Sequence, residues 1–182
     1  LRPAIESVLN QTFTDLELII IDDNSDKLHV KEVISSYDDK RIIYIKNDKC
    51  LTAGGAREQG FQISKGKYIA MVDSDDIAAL NLYEELYTFL ASNDDYALAV
   101  GENKIIDSEG NICYWDINRN IVYDINQAYF DSYSEYQAKW ATNIDFFSEE
   151  FGSYPKLLLG NHISNGYLIR KEVFENFDFY TN

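Results

Sequence analysis

The sequence predicts an α/β fold of the doubly wound type, with a mixed, mostly parallel sheet and helices on both of its faces. Short apolar runs rich in β-branched residues, which are typical of strands, recur along residues 1–100. Segments with the helical spacing of apolar residues alternate with these runs. Two of the runs end abruptly in acidic turns. Strands that alternate with helices predict a parallel sheet whose crossovers are right-handed.

The first helix and the first two strands follow from local pattern. A helix is predicted over residues 3–9, because Pro3 suits a first turn and the apolar residues fall on one face. The nearly continuous apolar run over residues 16–21 predicts a strand covered on both faces, as in parallel sheets. Residues 30–37 are predicted as a short helix, and residues 41–45 as the second strand.

The next four elements repeat this alternation. A glycine-rich turn opens a predicted helix over residues 54–63, and the apolar residues 68–72 form the third predicted strand. Residues 80–90 have the apolar spacing of a strongly amphipathic helix. Residues 96–100 then form the fourth predicted strand.

The pattern changes after Gly101. A β-hairpin, an irregular stretch rich in Tyr, Phe, Asp and Asn, a final strand and a short helix are predicted there. They cover residues 104–115, 116–150, 166–169 and 171–176 in turn. The length of 182 residues suits a single domain over residues 1–182.

Charge and cysteine content limit the function. The formal net charge is −15, which argues against nucleic acid as a partner because its phosphates would be repelled. A small phosphate ligand would need a metal ion or a helix N-terminus beside it. The two cysteines, Cys50 and Cys113, form no C-x-x-C pair, which indicates a reducing, cytoplasmic location rather than structural zinc. No apolar run is long enough for a membrane helix.

Acidic residues follow two of the predicted strands. Asp22 and Asp23 come after the first strand, and Asp73, Asp75 and Asp76 come after the third. Parallel strands place both groups at one sheet edge, where ligands of such sheets bind. Clustered carboxylates favour a cation, and oxygen ligands suit Mg²⁺ or Mn²⁺. The plainer interpretation is that these residues form turns and helix caps.

Three segments, in this order and spacing, resemble family 2 glycosyltransferases of the GT-A fold. Residues 5–25 resemble the family's opening helix and strand. Residues 54–60 resemble its glycine–Ala-Arg-Asn–glycine segment, with Glu58 in place of the usual Asn. Residues 65–76 resemble its Asp-x-Asp strand. The resemblance implies a nucleotide-sugar-binding half over residues 1–100 and an acceptor-side half over residues 101–182.

The resemblance implies which residues bind the nucleotide. Asp23 would accept a hydrogen bond from the base, usually uracil, with Asp22 beside it. Gly54 and Arg57 would line the nucleotide pocket, and Asp73 would lie near the diphosphate. The plainer interpretation of Arg57 is an ion pair on the surface of its helix.

The resemblance also implies the metal and sugar contacts. Asp73 and Asp75 would hold Mn²⁺ or Mg²⁺ against the diphosphate, and Asp76 would lie near the donor sugar. Asn161 and His162 would face the acceptor, although taken residue by residue a polar loop is the slightly favoured interpretation.

The implied reaction transfers a sugar from a nucleotide-diphosphate donor, a UDP-sugar first of all, to an acceptor hydroxyl with inversion. The acceptor could be a carbohydrate, a lipid-linked sugar or a protein. The family's first strand and its general base, an Asp beyond the region matching Phe177 and Asp178, are expected outside this sequence. Peripheral membrane association at the inner face through such parts, and a homo-oligomer, are left open.

Two other classes compete with this interpretation. One is a nucleotide-sugar-binding module without catalytic activity. The other is a phosphotransfer domain of the haloacid dehalogenase type, which also has Asp-x-Asp after a strand. That class prefers Thr or Val directly after the second Asp, where this sequence has Asp76.

Overall fold

A computed structural model describes residues 1–25, 29–129 and 166–175 of the protein. The chain divides into two compact units, one formed by residues 1–99 and 168–182 and the other by residues 100–167. Among the described residues, no helix has the length and apolar content needed to cross a membrane.

The first unit mixes helices and strands, and its elements follow the order that the sequence predicts. These elements are α1 (Arg2–Leu9), β1 (Leu18–Asp22), α2 (His29–Ser35), β2 (Ile42–Lys46), α3 (Thr52–Ile63), β3 (Tyr68–Ile69), α4 (Leu82–Ser92), β4 (Leu98–Val100), β8 (Tyr167–Arg170) and α5 (Glu172–Glu175). The second unit contains β5 (Ile105–Ile106), β6 (Ile112–Trp115), β7 (Ile121–Val122) and a 3-10 helix (Ile125–Gln127).

The parallel pair β1–β2 is the sheet in which helices cover both faces. Leu18 pairs with Ile42, and the register continues to Asp22 opposite Lys46. Residues of α1 and α2 pack on one face, where buried Ile5, Val33 and Ile34 meet Leu18, Ile20, Ile42 and Tyr44. On the other face α3 comes close enough that a Cβ on Gly60 would lie 3.7 Å from Ile21 and 3.9 Å from Ile19.

A second sheet has the order β3–β8–β4. β8 runs antiparallel to β3, with Tyr68 opposite Arg170. Helix α4 covers this sheet, and buried Leu86 and Leu90 pack with Ala99 and Leu168. The third predicted strand is shorter than expected, because pairing with β8 stops after Ile69 and residues 70–72 continue as irregular chain.

Arg170 joins this sheet to the end of α4. Its Nη2 donates to the Leu90 carbonyl at 2.7 Å and its Nε donates to the Tyr96 carbonyl at 2.9 Å. The guanidinium also lies over the Tyr68 ring, 5.6 Å from the ring centroid. A cation at a helix C-terminus stabilises the last carbonyls of the helix, which have no partner within it.

The prediction of one mostly parallel sheet is wrong for the described residues. They form three sheets, and of the pairs β1–β2, β3–β8, β5–β6 and β6–β7 only β1–β2 is parallel. The difference arises because β8, from far along the chain, lies between β3 and β4. Local apolar periodicity carries no information about such a distant partner.

The second unit contains the predicted hairpin and one unpredicted strand. β5, β6 and β7 form an antiparallel sheet in which Ile105 pairs with Cys113 and Tyr114 pairs with Val122. No strand is predicted at β7, which lies within the stretch 116–150 that the sequence predicts to be irregular. With two residues, this strand is too short to produce a recognisable alternation.

Both turns of this sheet are built in the same way. The Asp107 carboxylate accepts the N–H groups of Glu109 and Asn111, each at 2.9 Å. The Asp116 carboxylate accepts the N–H groups of Asn118 and Asn120, each at 2.8 Å. The residue before the last Asn of each turn, Asn111 or Asn120, has a positive φ, which is 88° at Gly110 and 65° at Arg119. Asp at the first position thus specifies two successive turns.

Candidate functional site

Asp22 is the last residue of β1, and its carboxyl group is buried. Its Oδ1 accepts the Ser25 N–H at 2.9 Å, and its Oδ2 accepts the Tyr44 hydroxyl at 2.9 Å, with Lys46 Nζ 3.9 Å away. Burial raises the pKa of Asp22, but the hydrogen bonds from Ser25 and Tyr44 together with the Lys46 charge outweigh it, so the pKa is lowered. Only 1% of the Asp22 side chain is exposed. Its hydrogen bonds with Ser25 and Tyr44 hold the loop that carries Asp23 in place.

Asp23, the next residue, joins β1 to the loop after β2. Its Oδ1 accepts Asn47 Nδ2 at 3.0 Å and the Leu51 N–H at 2.8 Å. Its Oδ2 accepts the same Leu51 N–H at 2.9 Å and the Cys50 thiol at 3.1 Å. The hydrogen bond from Asn47, followed by those from Leu51 and Cys50, lowers the pKa of Asp23. The carboxylate therefore lies, ionised, at the start of α3.

The start of α3 differs from the prediction in a small but relevant way. The helix begins at Thr52, so Gly54 lies in its first turn rather than in a turn before it. Thr52 itself has a φ of 70°. A Cβ on the next glycine, Gly55, would lie 2.9 Å from the Leu51 Cβ. A side chain at position 55 would therefore disturb the residue whose N–H binds Asp23.

Arg57 of α3 contacts the acidic segment that follows β3. Its Nη2 lies 3.2 Å from Asp73 Oδ1, and the two side chains are 42% and 45% exposed. The contact brings together two residues that are predicted separately as site residues. The ion pair expected for Arg57 is thus present, and its partner is a candidate site residue.

The acidic segment itself is a tight turn. The Asp76 N–H donates to the Asp73 carbonyl at 3.1 Å, so the carboxylates of Asp73, Asp75 and Asp76 are carried by one reversal of the chain, named here the acid turn (residues 73–76). Asp75 is exposed, whereas Asp73 and Asp76 are half-buried. Asp75 is therefore the carboxylate most open to solvent.

The acid turn carries the two residues predicted to bind a metal ion, Asp73 and Asp75. Among the described residues, no three His, Cys, Asp or Glu side chains are grouped so that they could hold a metal ion. Mg²⁺ and Mn²⁺ are commonly bound by one or two carboxylates together with substrate phosphates. Asp73 and Asp75 carry oxygen ligands of this kind, and their role as metal ligands stays a prediction.

Some site residues were not predicted, and some predicted residues lie elsewhere. Asn47 and Cys50 are missing from the predicted set, although a polar residue directly after β2 is a signal of the same kind as Asp22 after β1. Asn161 and His162 lie outside the described residues. Their assignment to the acceptor stays a prediction.

Comparison with known proteins identifies the family. The sequence pattern described as Glycosyl transferase family 2 matches residues 1–175. The chain belongs to glycosyl transferase family 2. This family implies the GT-A fold, and the mixture of helices and strands agrees with that.

Several glycosyltransferases are similar to this chain over part of their own length. An uncharacterized glycosyltransferase of Methanocaldococcus jannaschii is 40% identical over 114 residues, which are 62% of this chain and 39% of the relative. The UDP-Glc:alpha-D-GlcNAc-diphosphoundecaprenol beta-1,3-glucosyltransferase WfaP of Escherichia coli is 47% identical over 73 residues, which are 40% of this chain and 29% of the relative.

A third relative differs in the acceptor that its name gives. The poly(ribitol-phosphate) beta-N-acetylglucosaminyltransferase TarP of Staphylococcus aureus is 34% identical over 138 residues, which are 68% of this chain and 41% of the relative. In all three cases the match spans less than half of the relative's length.

Proposed function

We propose that this chain binds the donor in a glycosyltransferase that moves a sugar from a nucleotide diphosphate to an acceptor hydroxyl. The observation that carries the proposal is the contact between Arg57 Nη2 and Asp73 Oδ1. Through it, the acid turn meets α3, whose first residues are bound in turn by Asp23. The groups suited to a base, to phosphates and to a cation are thus linked by direct contacts.

UDP is the proposed nucleotide. Two relatives from Escherichia coli, WfaP and WfgD, carry UDP-Glc in their names. The base would meet Asp23, which accepts hydrogen bonds only, and uracil offers an N–H donor to such a group. Asp22 supports this loop from inside, and Gly54 is proposed to line the nucleotide pocket.

The phosphates would lie beside the acid turn, where they would replace Asp73 as the partner of the Arg57 guanidinium. The guanidinium suits phosphate oxygens because it donates several parallel hydrogen bonds. Asp73 and Asp75 would hold Mn²⁺ or Mg²⁺, which when bound offsets the negative charge of the leaving diphosphate. Asp76, at the end of the turn, would lie near the donor sugar.

The acceptor is proposed to attack the anomeric carbon from the face opposite the diphosphate, which inverts the configuration. A carboxylate outside the described residues would take the proton of the acceptor hydroxyl. Asn161 and His162 are proposed as acceptor contacts. The names of the relatives indicate both lipid-linked sugar and polyol-phosphate polymer acceptors, so a hydroxyl-rich glycan or polymer is the class proposed here.

The test is a thermal-unfolding measurement with UDP, GDP and ADP, each with and without Mn²⁺. A ligand at a hundredfold excess over its Kd stabilises the folded state by about 2.7 kcal/mol, which is roughly 5–10 °C for a chain of this size. We expect this shift with UDP only when Mn²⁺ is present.

Two variants locate the effect. Asp75→Asn should abolish the shift that depends on Mn²⁺, whereas Asp95→Asn, at an exposed acid after α4, should keep it. A UDP shift that is the same with and without Mn²⁺, or that survives in Asp75→Asn, would contradict the metal assignment. The absence of any shift with all three nucleotides in the full-length protein would contradict the donor-site proposal as a whole.

A further inference from the structure

Gln11 follows α1, and its side-chain amide is buried and fully engaged. Only 3% of the residue is exposed. Its Nε2 donates to the Ser7 carbonyl at 3.0 Å and to the Ala79 carbonyl at 2.6 Å, while its Oε1 accepts the Tyr83 N–H at 3.1 Å. A primary amide can donate two hydrogen bonds and accept others at the same time. An apolar side chain of similar size would lose all three bonds.

Two neighbours of Gln11 bind the same stretch of chain. Ser7 Oγ accepts the Ala78 N–H at 3.0 Å, and the Thr12 N–H donates to the Leu80 carbonyl at 3.0 Å. The hydrogen bonds of α1 and its end therefore reach residues 78, 79, 80 and 83. This stretch, residues 78–83, is named here the post-turn segment.

The post-turn segment starts two residues after the acid turn ends, since only Ile77 lies between Asp76 and Ala78. On its other side the acid turn is connected to β3, which pairs with β8. Three irregular residues, 70–72, separate the turn from that sheet, whereas only one residue separates it from the segment bound to α1. Because a single intervening residue allows little independent movement, a shift of the post-turn segment would displace the carboxylates of the turn.

We propose that Gln11 is a positioning residue for the donor site, which sets the place of the acid turn through the post-turn segment without touching the donor. This role rests on the function proposed above. The amide also binds the first turn of α4 through Tyr83, where helix N–H groups have no partner within the helix. A glutamate at position 11 would keep the shape but could donate neither bond to the Ser7 and Ala79 carbonyls.

The test compares UDP affinity in saturating Mn²⁺, measured by calorimetry on the full-length protein. Gln11→Leu is compared with Ile34→Ala, which removes buried volume on α2 but leaves every hydrogen bond of Gln11 intact. Both are measured well below their melting temperatures. Groups bonded directly to metal ligands change metal affinity by about 10–100-fold when replaced. Gln11 acts through the intervening chain, so we expect the lower end, a loss of about tenfold in UDP affinity, for Gln11→Leu only.

A milder variant keeps the test decisive should Gln11→Leu not fold. Ser7→Ala removes the bond to the Ala78 N–H and should weaken UDP binding by a smaller factor in the same direction. If the folded Gln11→Leu protein, or Ser7→Ala in its place, binds UDP as Ile34→Ala does, Gln11 is a structural residue and the positioning role is overturned. Wild-type protein that binds no UDP in Mn²⁺ would overturn the proposed function itself, which is a different result.

Discussion

Arg57 Nη2 and Asp73 Oδ1 lie 3.2 Å apart, so the cation of α3 is paired with the first carboxylate of the acid turn. Both side chains are roughly half exposed, and exposed ion pairs contribute about 0–1 kcal/mol to stability. The pair therefore contributes little to folding stability, and its main effect is expected on ligand binding. A donor phosphate that reached Arg57 would replace one anionic partner by another.

Arg57→Ala should separate these two effects. We expect the melting temperature to change by less than about 4 °C, in line with a pair worth at most ~1 kcal/mol. We expect UDP affinity in Mn²⁺ to fall about tenfold or more, because charge-assisted bonds to phosphate are among the strong ones. Arg2→Ala, at an exposed arginine of α1, is the matched control and should leave UDP affinity unchanged. Equal affinities in the two variants would contradict a role for Arg57 at the donor.

The buried carboxyl of Asp22 can be tested through its partner. Tyr44→Phe removes the hydroxyl that donates to Asp22 Oδ2 at 2.9 Å. A buried acceptor that loses its donor costs about 1–3 kcal/mol, so urea denaturation should show a decrease of that size in the free energy of unfolding. Tyr96→Phe, at a largely exposed tyrosine, should change it by less than about 0.5 kcal/mol. A comparable decrease in both would mean that the hydroxyl of Tyr44 is not essential to the loop.

Two glycines should respond to alanine in opposite directions. Gly110 has a φ of 88°, and no atom lies within 4 Å of the position that a Cβ would take. Gly110→Ala should therefore destabilise the protein by about 1–2 kcal/mol through the backbone alone. Gly60 lies inside α3 with its nearest neighbour at an ordinary contact distance of 3.7 Å, so Gly60→Ala should be neutral or stabilise by up to ~1 kcal/mol. Urea denaturation of both variants checks the signs, and a stabilising Gly110→Ala would refute the turn geometry.

Asp107 should make stability depend on pH in the acidic range. Hydrogen bonds from Asn111, first its side chain and then its N–H, lower the pKa of Asp107 from 3.8 to about 2. A carboxyl group whose pKa is lower in the folded state stabilises the protein above its unfolded pKa, and this contribution is lost as pH falls through the folded pKa. The advantage of the wild type over Asp107→Ala should therefore be constant above about pH 5 and shrink steadily towards about pH 2. Denaturation at a series of pH values measures it, and an advantage that stays constant throughout would rule out the ionised carboxylate as its source.

The predictable parts of this protein are those whose partners are near in sequence. β1, α2 and β2 form a short parallel unit, and both the apolar runs and the acids at Asp22 and Asp23 are visible without a structure. The antiparallel pairing of β3 with β8 was not predictable, because neither strand has a sequence pattern that indicates its pairing partner. The bonds of Asp23 to Cys50 and Leu51 were missed for a similar reason, since they depend on the path of a loop rather than on periodicity.

The insertion of β8 between β3 and β4 has a consequence for how the chain reaches its native state. Tyr167–Arg170 leave the ribosome long after the strands on either side of them. Until then, β3 and β4 both present unpaired edges, which are sites for pairing with other chains. Contacts that are distant in sequence also form slowly, because loop closure precedes the gain from pairing. The sheet next to the acid turn is therefore completed late, and a nascent chain halted before Tyr167 would be the form most prone to aggregate.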